Sequence, residues 1–296
     1  MTTRHPAHTL TDELIETTVA APESLRPWIT ELGHIPTVTD VSLPFTHIPQ
    51  AATTIVLRAE AAGHREAMVV GPQTKATYSR AEKPAGCVRL RLEPGATRQL
   101  LGVPATDLAN RVFRLADFPG VAADLADELT HLAPEEVLPF LEDVLPQHIS
   151  EDPTQRAHRT LLRTAVAAMS AAAPTPVHEL AADLAVSERQ LRNLFTTGVG
   201  VSPKHYARIG RVRHILANAG NTSSAQPATT GYYDQPEVKV PLTSLAQVAA
   251  ENGYYDQSHM SADFKALMGV PPTRFFRGNL PAPAPCRAIS GLARPA

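Results

Sequence analysis

The sequence predicts an α+β protein with a β-rich N-terminal domain followed by an all-α C-terminal domain. Three observations predict this. A chain of 296 residues has room for about two domains, each burying its own core. Residues 37–95 are β-branched runs punctuated by Gly and Pro, whereas from about Pro119 onward apolar residues recur three and four apart. A hydrophobic content of 43% with 19% charged residues is that of a globular protein. The expected boundaries are residues 1–150 for the β-rich domain, 151–174 for a helical linker and 175–280 for the C-terminal domain.

In chain order, "TVTDVSLPFTHI", "TTIVLRA", "REAMVVGP" and "GCVRLRLEPG" read as strands. "VAADLADELTHL", "PEEVLPFLEDVLPQHI" and "TQRAHRTLLRTAVAAMSA" then read as amphipathic helices. "AAAPTP" at 171–176 breaks the helical period and leads into the C-terminal domain. Residues 281–296, rich in Pro and Ala, read as a disordered tail.

That domain contains an internal repeat. "VSERQLRNLFTTGVGVSPKHY" (186–206) aligns without a gap on "YDQSHMSADFKALMGVPPTRF" (255–275) at an offset of 69 residues. Leu191 meets Met260, Phe195 meets Phe264, Gly200 meets Gly269, Val201 meets Val270, Pro203 meets Pro272 and Tyr206 meets Phe275. Each copy follows a short amphipathic helix, "VHELAADLA" or "SLAQVAAEN". Ser187 with Gln190 and Ser244 with Gln247 have capping-box spacing, and Asp256 is placed to cap the last long helix. Ala249 and Gly253 supply the small residue and the left-handed turn of a helix-turn-helix. The first unit has Ala181 and Ala185 there, so its turn is expected to be less comfortable and of different shape.

Two helix-turn-helix units, carried by "LAADLAVSERQLRNLF", "GVSPKHYARIGRVRHIL", "LAQVAAENGYYDQSHMSADFK" and "GVPPTRFFR", give the region from 175 to 278 a specific resemblance to the AraC/XylS family of bacterial transcription regulators. The resemblance implies two units joined by a long helix, here about 203–218, that dock in successive major grooves of DNA. It implies base contacts at Arg189, Arg192 and Asn193, whose guanidinium and amide groups match the edges of guanine and adenine. The outward set of the second helix adds Gln257, Ser258 and Ser261, without an arginine. Phosphate contacts are expected from Lys204, Arg208, Arg211, Lys265 and Arg274. Asp263 stands where the first unit has Leu194, so it must turn to solvent or be capped by a cation. The implied partners are double-stranded DNA, RNA polymerase, a small-molecule effector and a second copy of the chain, with no membrane. The N-terminal domain is expected to sense the effector or to dimerise, with Phe45, Tyr78 and the 86–92 strand either lining a pocket or packing the core.

"GYYDQ" occurs twice, at 231–235 and 253–257. The second copy starts the second reading helix. The first lies in an expected insertion over 220–241.

Charge is unevenly spread. Residues 1–150 hold 12 Lys+Arg against 19 Asp+Glu, and residues 151–280 hold 13 against 10. The mild basic bias suits a nucleic-acid-binding half. Cys87 and Cys286 lack metal or disulfide spacing, and the 12 histidines are scattered, so no metal or other cofactor is implied. No phosphate-binding Gly-rich motif and no Gly-x-Ser-x-Gly elbow is present, and Cys87 lacks the neighbouring cysteines of a zinc-held methyl acceptor. An enzyme is not expected. No apolar run has membrane-spanning length and no signal peptide is seen, so the expected location is cytoplasmic. The rival reading is a protein-interaction module whose two units no longer read an operator.

Overall fold

The computed structural model describes residues 10–11, 16–39, 41, 44–149, 153–171, 175–221 and 245–285. The first domain is built on a six-stranded antiparallel sheet of β2 (Thr17–Ala20), β3 (Ile29–Val38), β8 (Ala85–Leu92), β5 (Thr54–Glu60), β6 (Arg65–Val70) and β9 (Val112–Arg114), in that spatial order. Strand β8 shows why it forms: Val88, Leu90 and Leu92 are buried while the intervening Arg89 and Arg91 point to the other face. A smaller sheet joins β1 (Leu10–Thr11), β4 (Pro44–His47), β7 (Thr77–Arg80) and β10 (Ala284–Pro285). Strand β10 runs parallel to β7, so the beginning of the expected disordered tail is instead a sheet edge.

Helices α1 (Thr97–Leu101), α2 (Val121–Asp124), α3 (Ala126–His131) and α4 (Pro134–His148) cover the larger sheet. Leu25, Ile29, Leu90, Leu100, Phe113, Leu129 and Leu145 close the core between them. Burial of each such side chain is worth about 1.5–3 kcal/mol.

The C-terminal domain contains α5 (Pro153–Ser170), α6 (Val177–Asp183), α7 (Glu188–Gly198), α8 (Pro203–Asn221), α9 (Leu245–Glu251), α10 (Gln257–Met268) and α11 (Pro272–Phe275). Helix α5 is more than the linker expected over 151–174: Leu162, Ala165 and Met169 lie in one core with Leu180, Leu191 and Phe195 of the first unit. Helix α8 reaches the other core through Ile209, Val212 and Ile215, which join Met260, Phe264 and Leu267. Of the insertion expected over 220–241, residues 220 and 221 belong to α8, while residues 222–241 with the first GYYDQ, Ser244 and the tail beyond residue 285 lie outside the described residues.

The internal repeat is physical. Leu191 and Met260 are fully buried, as are Phe195 and Phe264. Phe195 meets Tyr206 edge-on at 5.7 Å between ring centroids, and Phe264 meets Phe275 edge-on at 5.5 Å. Ser187 accepts a hydrogen bond from the Gln190 amide and Asp256 from the His259 amide, so both second helices start on a side-chain cap.

The turns share a hydrogen-bonded frame. The Val186 amide donates to the Ala181 carbonyl at 3.0 Å and the Tyr254 amide to the Ala249 carbonyl at 2.9 Å. The expected difference in shape comes down to one residue, because Tyr255 stands between Tyr254 and the cap Asp256, whereas Val186 is followed directly by Ser187. Ala185 sits at φ 52° and Gly253 at φ 70°. A left-handed conformation costs a residue with a Cβ about 1–2 kcal/mol. Ala185→Gly should therefore stabilise the chain by roughly 1 kcal/mol in denaturant unfolding, and Gly253→Ala should destabilise it by a similar amount.

Candidate nucleic-acid interface and interdomain cleft

Helix α7 buries Leu191 and Phe195 and exposes Glu188, Arg189, Gln190, Arg192 and Asn193. Arg189, Arg192 and Asn193 thus share the open face of a capped helix. Leu194 is only partly buried, and Thr196 donates back to the Arg192 carbonyl. Among the described residues, Arg189 and Arg192 have no ion pair, nor do Lys204, Lys265 and Arg274, all exposed. These cations are free to meet an anionic partner without first giving up a carboxylate.

On α10, Gln257, Ser258, Ala262 and Lys265 are exposed and Ser261 is half-buried. The helix therefore offers short polar groups and a methyl group. Tyr255, at 94% exposure, projects from the turn just before it. Its one-residue displacement is what sequence alignment without a gap conceals.

Arg208 and Arg211 are placed differently from the expectation. Arg208 Nη2 lies 2.8 Å from Asp263 Oδ1, with Nε donating to the same oxygen at 2.8 Å. Arg211 Nη2 lies 3.3 Å from Asp263 Oδ2, and its guanidinium stacks 4.8 Å from the centre of the Tyr254 ring. Asp263 is buried and capped by cations, the second of its two expected fates. The two arginines hold α8 to α10 rather than standing free for phosphate. Asp263→Ala should destabilise the chain by about 2 kcal/mol in denaturant unfolding, less than for a fully buried pair because both guanidinium groups keep some contact with water.

The first domain holds the ends of both second helices. Gly95 N donates to Gly198 O at 3.0 Å, Ala76 N to Leu267 O at 2.7 Å and Tyr78 Oη to Met268 O at 2.6 Å. Burial pushes the Tyr78 phenol up to about 12, so it remains a donor across the physiological range. Tyr78 is therefore a contact between domains, and Phe45 packs edge-on against His47 at 4.9 Å. Neither lines the cleft between the domains, to which the 86–92 strand contributes Arg91 and Leu92.

A cleft of about 820 Å³ opens between the domains, bounded by Thr53, Arg91 and Glu93 on one side and by α5, α8 and the turn after α9 on the other. Arg91 is paired with Glu31 at 2.9 Å. Burial pushes the Arg91 guanidinium below its ordinary value, Glu31 opposes that, and the like charge of Arg213 adds to it. Glu93 is 5% exposed and its Oε1 has no hydrogen-bond partner. Burial raises the Glu93 carboxyl, against the attraction of Arg163 and Arg159.

Because the folded-state value of Glu93 is raised, its charge lowers stability as pH climbs above the ordinary carboxylate range. Glu93→Gln should accordingly raise the thermal midpoint at neutral pH. The gain should vanish in acid, where the carboxyl is protonated in both folded and unfolded chains.

Among the described residues no group of His, Cys, Asp and Glu is arranged to hold a metal, and no helix is long and apolar enough to cross a membrane.

A family described as a domain of unknown function (DUF6597) matches residues 17–114, the span from β2 to β9. No curated protein matches. Among solved structures the chain is similar to ToxT from Vibrio cholerae O395, at 11% identity over 79% of this chain and 93% of that one, with a TM-score of 0.35. It is also similar to a probable AraC family transcriptional regulator from Rhodopseudomonas palustris CGA009, at 20% identity over 43% of this chain and 99% of that one, with a TM-score of 0.29. A third likeness is to the C-terminal domain of AraT, a response regulator from Geobacillus stearothermophilus, at 18% identity over 47% of this chain and 96% of that one, with a TM-score of 0.30.

Proposed function

We propose that this chain is a sequence-specific DNA-binding regulator of transcription, with α7 as the principal reading helix and α10 in the next major groove. The observation that carries the reading is the face of α7. Arg189, Arg192 and Asn193 stand exposed on the second helix of a capped helix-turn-helix, with neither arginine tied to a carboxylate. A bidentate Arg or Asn contact to a base discriminates by about 1–3 kcal/mol. Gln257, Ser258 and Ser261 offer weaker contacts, which suits a helix that sets register more than it reads. Lys204, Lys265 and Arg274 supply phosphate contacts, while Arg208 and Arg211 act indirectly by fixing α10 to α8.

The rival reading, a module for protein assembly alone, rests on the modest basic charge, on Asp263 in the second helix and on the expected insertion over 220–241. The burial of Asp263 under two arginines gives that residue a structural role and favours the regulator reading. The cleft between the domains is the place for a small-molecule effector, which would act on DNA affinity through the elements that line it. RNA polymerase and a second copy of the chain complete the partners of a regulator of this kind.

Selection of bound sequences from a random DNA pool by the full-length protein, at two salt concentrations, tests the reading. The expected result is a motif of two half-sites about one helical turn apart, bound less tightly at the higher salt. Arg192→Ala should relax discrimination at one base pair, costing about 1–3 kcal/mol on the preferred site, whereas Lys204→Ala should weaken all sequences alike and flatten the salt slope by about one. Salt-independent binding, or a motif untouched by Arg192→Ala, would overturn the assignment of α7.

A further inference from the structure

Among the described residues two large hydrophobic side chains are exposed, Val19 at 55% and Tyr255 at 94%. Val19 lies on the edge strand β2 of the first domain. Tyr255 stands in the turn that leads into α10, beside the exposed Gln257 and Ser258. Its exposure is particular to the second unit. The residue that aligns with it in the repeat, Val186, packs against the core of the first unit. In the second unit that packing falls to Tyr254, 5% exposed, whose amide closes the turn as the Val186 amide does. The ring between Tyr254 and the cap Asp256 is left with no part in the core. It adds nothing to the fold, yet a partner that covered it would bury a large amphipathic side chain with a polar tip.

Position and chemistry select the surface it would meet. In a helix laid in the major groove the first residues reach the base edges, and Gln257 and Ser258 hold those places on α10. Tyr255 precedes the cap and lies outside the helix, with Asp256 extended at φ −153° and ψ 174° between it and the first turn. A residue so placed meets the rim of a groove, where the sugar-phosphate chain runs. A phenol suits that surface, because its hydroxyl can donate to a phosphate oxygen while the ring lies on the sugar. It also supplies a donor that the second unit otherwise lacks, since Arg208 and Arg211 are held by Asp263.

We propose that Tyr255 is a DNA-backbone contact of the second unit, its hydroxyl donating to a phosphate oxygen at the rim of the groove that α10 enters and its ring lying against the adjoining sugar. The contact rests on the DNA-binding reading and gives α10 a means of fixing register without reading sequence. A neutral hydroxyl releases no counterion, so its loss weakens binding without altering the salt dependence, unlike the loss of a lysine contact.

Binding of full-length Tyr255→Ala and Tyr255→Phe to the DNA site selected by the wild type, and to single-base variants of that site, tests this. Tyr255→Ala should weaken binding about tenfold and Tyr255→Phe about fivefold, alike for all sequences, with the salt slope and the thermal midpoint unchanged. Ethylation of single phosphates in the half-site bound by α10 should reveal one position where modification impairs the wild type more than Tyr255→Phe. Full affinity in either variant, a loss confined to one base pair, a flattened salt slope or a lowered thermal midpoint would each overturn the proposal. The two claims separate cleanly. A selected motif that Tyr255→Ala binds as tightly as the wild type does overturns this contact and leaves the regulator standing, whereas a wild type without salt-sensitive DNA binding overturns both.

Discussion

The arrangement of this molecule depends on one set of contacts, the hydrogen bonds that the first domain donates to the C-terminal ends of α7 and α10. The last carbonyls of a helix have no partner within it and must find one elsewhere. Here Gly198 of α7 and Leu267 and Met268 of α10 find theirs on Gly95, Ala76 and Tyr78. With the two C-termini fixed against one domain, the capped N-termini at Ser187 and Asp256 are left to face outward. Glycine is required where the backbones meet. A Cβ on Gly198 would lie 3.2 Å from Gly95 Cα, and one on Gly200, at φ +88°, would lie 2.7 Å from Ala105 O. The equivalent Gly269 has open space around it, so its conservation of conformation within the repeat serves the turn alone.

The two units have the same frame and different duties. Both use a fully buried phenylalanine met edge-on by a partly buried ring, a side-chain cap and a left-handed glycine after the second helix. The first unit is steadied by α5, which fills one side of its core. The second is closed by α8, through Ile209, Val212 and Ile215 and through the Asp263 pairs with Arg208 and Arg211. A position that is partly apolar in the first unit, Leu194, is thereby an ion-pair anchor in the second. The cations that pair with Asp263 are cations the second unit does not leave unpaired, and the proposal of α7 as the stronger reader rests on that asymmetry.

The parts of this structure legible in the sequence are those set by local pattern. The strands, the paired helices, the caps and the strained turn at Ala185 follow from periodicity and residue chemistry within a few positions. The open face of α7 was legible because its apolar stripe leaves only one side for Arg189, Arg192 and Asn193. What depended on residues far apart was not. Arg208 and Arg211 resemble surface cations until Asp263, more than fifty positions away, is brought beneath them. Tyr78 reads as a core or pocket aromatic until Met268 arrives at its hydroxyl. The membership of α5 in the first unit's core and the cleft itself are products of domain packing, for which no short motif exists. The alternation of arginines in "VRLRLE" was a signal of a polar strand face, but not of what that face would meet.

The cleft and the helix-end contacts are adjacent, and this gives the first domain a physical route to the exposed face of α7. Gly198 and Val199, at the end of α7, line the cleft, as do Asn252 and Gly253 in the turn that leads to α10. A molecule seated there touches the first unit at the C-terminal end of α7 and the second in the turn before α10. Occupancy alone changes nothing, because a ligand moves an equilibrium only by the difference in its affinity for the two states. That difference is available here, since any arrangement that separates Gly95 from Gly198 also parts the two walls of the cleft. A ligand touching both walls would lose contacts on one side when the domains part, and each tenfold loss of affinity corresponds to about 1.4 kcal/mol in favour of the closed arrangement. The spacing of α7 and α10 is therefore tied to the same walls that a molecule in the cleft would touch.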